Sequence, residues 1–336
     1  MENLLFLAFV EADGLLNKTA LEALGAAREL GAPLTIGLIG ADVQAAAHSL
    51  ASCGARILAV SGSEFGQARY ASDAAAAEAI ARQAKASLIV VPSSTRSARV
   101  MPGVAYRLGG RIETHITAVA GNGDKLEVSR WYYRQRMEAV VERSQRPWVI
   151  LLESGCHAAF EGAPGNAVVE TVPVVLADSH QRTQVLGVRV PPADQQTIRP
   201  DAKVLFVAGA GWTKKQADGQ IHGGEAEQLI RGFLAQSGAS LGGSKSLVDQ
   251  SGEGQAVLGF MTHLNQVGQT GATPRHPKGL STCCHGEEPH VVGWRFITER
   301  RAVNLDPNCG WARGKADVLY VADAFEVMRE VNALLK

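Results

Sequence analysis

A chain of 336 residues is long enough for two domains, each burying its own core. Its 46% apolar and 20% charged residues are those of an ordinary globular protein, and equal totals of 33 basic and 33 acidic side chains exclude the basic footprint of a nucleic-acid binder and an acidic tail. Five cysteines, odd in number and without CxxC spacing, exclude a disulfide framework and point to a reducing, cytoplasmic setting.

The first predicted element is LLFLAFV, Leu4 to Val10. Glu2 precedes it, Glu11 follows it, and it is too short for a bilayer, so a buried strand is expected rather than a membrane insertion. A helix follows over Lys18 to Leu30, then a strand over Pro33 to Gly40, a helix over about Ala41 to Ser52, a strand over Ala55 to Val60, and a helix over about Ala71 to Ala84. SLIVVP, Ser87 to Pro92, is the next strand, and Ser93, Ser94 and Thr95 supply a cap for the helix after it. Short apolar runs alternating with helices predict an α/β fold, with mainly parallel sheets flanked by helices in a Rossmann-like manner. Beyond SLIVVP, Arg96 and Arg99 stand where α/β sheets hold ligands; they are read either as a phosphate grip or as solvated side chains on a capped helix.

The stretch Arg107 to Val141 reads as two or three strands with an aromatic edge at Trp131, Tyr132 and Tyr133. Polar, proline-containing residues then break the pattern. This divides the chain into an N-terminal α/β domain over 1–187, a linker over 188–203 and a C-terminal domain over 204–336. The second domain opens with VLFVAGAG, a strand running into a glycine turn at Gly209, where backbone N–H groups suit phosphate oxygens. A helix over about Glu225 to Ser237 comes next, then GGSKSLVD with Ser244 and Lys245.

Four motifs close the chain: VGQTG (Val267, Gly268, Gln269, Thr270, Gly271), CCHGEEPH (Cys283 to His290), NLDP (Asn304 to Pro307) and ADVLYVADAF (Ala316 to Phe325). Amide, hydroxyl and imidazole groups in such turns can hydrogen-bond the rim of a heteroaromatic ring. Cys283, Cys284, His285 and Cys309 also raise a metal alternative. Adjacent cysteines on one strand point to opposite faces, which weighs against it. No nucleophile stands beside a base, which disfavours a hydrolase or transferase.

The order and spacing of these motifs resemble the α subunit of electron transfer flavoproteins. From Thr270 to Gly286 and from His290 to Asn304 the chain can be laid on that family's pattern without gaps. The resemblance implies that the C-terminal domain binds FAD and that the chain pairs with a β subunit. As such a subunit it would carry electrons from flavin-dependent dehydrogenases to a quinone reductase or other acceptor, rather than catalyse a substrate reaction of its own. It implies that the loop of Val267, Gly268, Gln269 and Thr270 approaches the flavin and its pyrophosphate, and that Gly286 and His290 belong to the turn that cradles the cofactor. It further implies that Asn304 lies at the ribose and pyrophosphate end and Asp317 near the adenosine. Ser244 and Lys245 stand where the family has Ser-Arg; lysine retains the charge and loses the planar fork.

The chain departs from the family at Ala210, where an arginine leans over the flavin, and at His285, which replaces a serine. It also adds carboxylates at Glu287 and Glu288. These departures leave a second reading open, a structural subunit that has lost or displaced its flavin. Like charges in a partly dry pocket oppose an anionic cofactor. The double substitution Glu287→Ala, Glu288→Gln is therefore expected to tighten flavin binding; an unchanged Kd would show that the two carboxylates point away.

Overall fold

The computed structural model describes residues 2–122, 125–132, 137–187, 189, 198–199, 202–249, 257–267, 275–282, 294, 297–308 and 316–336. The chain divides into two compact units, Met1–Val188 and Arg189–Lys336.

The first unit is built on strands β1 (Leu4–Phe9), β2 (Leu34–Gly40), β3 (Arg56–Ser61), β4 (Leu88–Pro92), β5 (Arg111–Asn122), β6 (Lys125–Tyr132), β7 (Met137–Glu142), β8 (Trp148–Leu152) and β9 (Val169–Thr171). They form one sheet in the order β7-β6-β5-β8-β4-β1-β2-β3-β9. From β5 to β9 the pairing is parallel, and only the β5-β6-β7 ribbon is antiparallel. Every residue of β1 is buried because both faces are covered. Side chains alternate across the pleat. Leu4, Phe6 and Ala8 join one core with α1 (Lys18–Glu29) and α2 (Gln44–Ser49), while Leu5, Leu7 and Phe9 join the other with α3 (Tyr70–Gln83) and α4 (Thr95–Arg107).

α1 is capped by Asn17 and α4 by Ser94, whose side-chain oxygens accept the N–H groups of Ala20 and Ser97. The α2 pattern is shorter than its alanine-rich sequence suggests, and it passes into a single tight turn over Ala51–Cys53 that ends at left-handed Gly54.

Arg96 is mostly buried and committed to partners within the first unit. Its guanidinium forks onto the carboxylate of the fully buried Asp73 at 2.7 and 2.8 Å, donates to the Phe65 carbonyl and stacks over the Phe9 ring. Burial pushes the Asp73 carboxyl up, against the lowering pull of Arg96. Arg99 donates to the Ala68 carbonyl. Both arginines thus hold the segment before α3 to the amino-terminal end of α4.

The second unit contains β10 (Val204–Ala208), β11 (Ser240–Gly243), β12 (Lys278–Thr282), β13 (Glu299–Asn304) and β14 (Val318–Val321), with helices α5 (Gly223–Ser237), α6 (Lys245–Asp249) and α7 (Ala324–Leu334). The sheet is wholly parallel in the order β11-β10-β12-β13-β14. Phe206 and Ala208 face the core of α5 and α7, while Leu205 and Val207 face Val267, Trp294 and Ile297. Residues 198–199, read from sequence as linker, are anchored here: Ile198 is buried in this core, and the Arg199 N–H donates to Ser240 Oγ at 2.7 Å. Among the described residues no helix is long and apolar enough to cross a membrane.

Arg96→Ala leaves the Asp73 carboxylate buried without its cation. The expected loss is about 3–5 kcal/mol in urea unfolding; a loss below about 1 kcal/mol would show that water reaches the site.

Candidate functional site

In the second unit, strand order reverses between β10 and β12, the neighbours at the centre of the sheet. Ligands of open α/β sheets bind beyond the carboxyl ends of the strands at such a point. The segment after β10 therefore forms one wall of the site. It is a single tight turn over Ala210–Thr213, with all four residues buried.

Trp212 fixes that turn. Its indole Nε1 donates to Thr282 Oγ1 at 2.8 Å, and its ring lies 4.6 Å from that of Phe325 at the start of α7. Thr282 is the last residue of β12, and its hydroxyl in turn donates to the Val207 carbonyl. The Gly209 N–H donates to the Thr282 carbonyl at 2.8 Å. The glycine expected to offer its N–H to an anion has that N–H committed to the sheet.

Ser244 and Lys245 lie past the end of β11. Ser244 is buried, its N–H donates to the Ala208 carbonyl, and its Oγ caps α6 by accepting the Leu247 N–H. Lys245 is half exposed and pairs with Asp249 one helical turn on, at 3.3 Å. Val267 is buried, and its N–H donates to the Gly243 carbonyl, so the start of VGQTG runs beside the end of β11. Two glycines make room for this. A Cβ on Gly242 would sit 2.7 Å from Val267 Cγ2, and one on Gly243 would sit 2.5 Å from Met261 Cε. The preceding residue, Gln266, is buried, and its amide Nε2 has no hydrogen-bond partner among the described residues, which costs about 1–3 kcal/mol.

Asn304 ends β13. It is buried, and its Oδ1 accepts the Asp306 N–H in an Asx turn. Asp317 is not beside it. It precedes β14 at the amino end of the sheet, where it accepts the Arg300 N–H at 2.7 Å and the Arg300 guanidinium at 2.8 Å. Arg300 holds the Asp317 carboxyl below its usual range. Arg300 and Asn304 are four residues apart on β13, so Asp317 stands roughly 13 Å from the carboxyl edge. Asp323, beyond the end of β14, does reach that edge, and it caps α7 by accepting the N–H groups of Phe325 and Glu326. Its signal in the sequence is an Asp directly before the last helix, with Glu326 three residues on.

Asn304, Leu305 and Asp323 line a cavity of about 320 Å³ together with Gly211, Lys214 and Lys215. This volume is at the lower end for small-molecule sites, roughly 300–1,000 Å³. Two cations, a buried amide and a carboxylate suit a ligand that combines phosphate with sugar hydroxyls. Gly268, Gln269, Thr270, His285, Gly286 and His290 lie outside the described residues, as do Glu287, Glu288 and the three cysteines Cys283, Cys284 and Cys309.

A family model described as the electron transfer flavoprotein domain matches residues 5–177. Protein FixB of Clostridium saccharobutylicum is 26% identical over 335 residues, covering 97% of this chain and 94% of that protein. The electron transfer flavoprotein subunit alpha of Clostridium acetobutylicum is 26% identical over 341 residues, covering 97% and 95%. That of Thermoanaerobacterium thermosaccharolyticum is 24% identical over 327 residues, covering 95% and 93%. The family model falls in the first unit, and the full-length relatives extend the relationship through the second.

Thr282→Val would leave the Trp212 indole N–H buried without an acceptor. A loss of about 1–3 kcal/mol in chemical denaturation is expected, with Thr282→Ser close to the parent; equal losses for both variants would show that the hydrogen bond contributes nothing.

Proposed function

The chain belongs to the electron transfer flavoprotein family as a divergent member of its α-subunit branch, and from this premise we propose that its second unit binds FAD at the carboxyl edge of the β10–β14 sheet. In this reading it pairs with a β subunit in the cytoplasm and passes electrons from flavin-dependent dehydrogenases to a quinone reductase or comparable respiratory acceptor. The observation that supports it most is the placement of Lys214, Lys215, Asn304 and Asp323 around one cavity at that edge.

The bound flavin would supply the reversible uptake of electrons, and the chain would supply position and charge. Val267 would deliver the Gly268, Gln269 and Thr270 loop to the site from the end of β11, and His285, Gly286 and His290 would close it from beyond β12. Ser244 would act through backbone placement, because its hydroxyl is committed to α6. Lys245, paired with Asp249, would present a reduced positive field to the cofactor.

A second reading, a structural subunit without flavin, draws on the same inventory. Ala210 provides no cation, the Gly209 N–H is bonded within the sheet, and the Ser244 hydroxyl caps α6. The absorption spectrum of the chain purified with its β-type partner separates the two. Oxidised-flavin bands, with FAD released on heating at one per complex, are expected. A complex that stays colourless after FAD is added would favour the structural subunit.

A further inference from the structure

We propose that Lys214 and Lys215 form a diphosphate clamp, selecting a nucleoside diphosphate, free or as half of a dinucleotide. The proposal rests on the reading of the second unit as an FAD site and assigns the groups that hold its anionic part.

The turn after β10 offers little to an anion through its glycine, since the Gly209 N–H is bonded to Thr282 and position 210 is alanine. The positive charge comes directly after the turn. Lys214 and Lys215 are exposed and line the cavity, and neither has an ion pair among the described residues. They extend from a rigid base. The Lys214 N–H donates to the Gly211 carbonyl, and Trp212 between them is locked to Thr282 and Phe325.

Among the described residues lining the cavity, Asp323 is the one carboxylate. Its Oδ1 is tied to the first N–H groups of α7, so that helix start is already capped by a negative charge and repels a phosphate. Two ammonium groups against one carboxylate leave the cavity with a net positive charge on the lysine side. A diphosphate therefore belongs against Lys214 and Lys215, and the hydroxyls of its ribose belong towards Asp323 and Asn304, which accept or donate without needing a full charge. Lysine suits this work as a compact point charge that several phosphate oxygens can share.

The test is titration calorimetry on the full-length chain freed of flavin, with FAD, ADP and riboflavin, for the parent, Lys214→Gln/Lys215→Gln and Lys214→Arg/Lys215→Arg. In the glutamine pair, Kd for FAD and for ADP is expected to rise by roughly tenfold or more, with riboflavin unaffected and the arginine pair restoring affinity. The parent should also lose FAD affinity with added salt more steeply than the glutamine pair. Parent-like FAD and ADP binding by the glutamine pair would overturn the clamp and leave the FAD site standing. Lysine-dependent binding of ADP with none of FAD would keep the clamp and overturn the FAD reading. Binding of neither by the parent would overturn both.

Discussion

Thr282 ties together the two central strands of the second unit. Its carbonyl accepts the Gly209 N–H, its hydroxyl donates to Val207 and accepts the Trp212 indole, and all of these groups are buried. Everything proposed for the site follows from that knot. It commits the first glycine of the turn to the sheet, drives Trp212 down against Phe325, and brings the chain back to the surface at Lys214 and Lys215. The charge that the turn does not hold at position 210 is thereby placed a few residues later, on the rim of the cavity.

The same economy runs along the rest of the carboxyl edge. Ser244, Asn304 and Asp323 each use a side-chain oxygen to satisfy local backbone N–H groups, in a helix cap or an Asx turn. Such groups hold loops in place. Gln266 differs, with a buried amide nitrogen that has no hydrogen-bond partner among the described residues.

Much of the first unit was legible because both-face burial leaves a plain trace: an unbroken apolar run such as LLFLAF, followed by an alanine-rich helix, has few other ways to fold. Ser94 as a cap was equally plain. What depended on distant partners was not. Arg96 reads either as a phosphate grip or as a solvated side chain on a capped helix, and only the fold sets it on Asp73, 23 residues earlier in the chain. Trp212 gave no sign of Thr282, 70 residues away. Asp317 and Asp323 are the same residue type at either end of one short strand. A spacing argument cannot separate them, whereas strand direction does: the first falls at the amino end beside Arg300 and the second at the carboxyl end beside Asn304.

The central claim, that the carboxyl edge of the second unit is where FAD binds, is tested most directly by hydrogen–deuterium exchange of the full-length chain with and without FAD. Slowed exchange over the Gly209–Lys215 turn, the start of VGQTG at Val267 and the loop after Asn304 is predicted, with α4 and the strands of the first unit unchanged. Protection confined to the first unit, or none at these three places with FAD in excess, would contradict it.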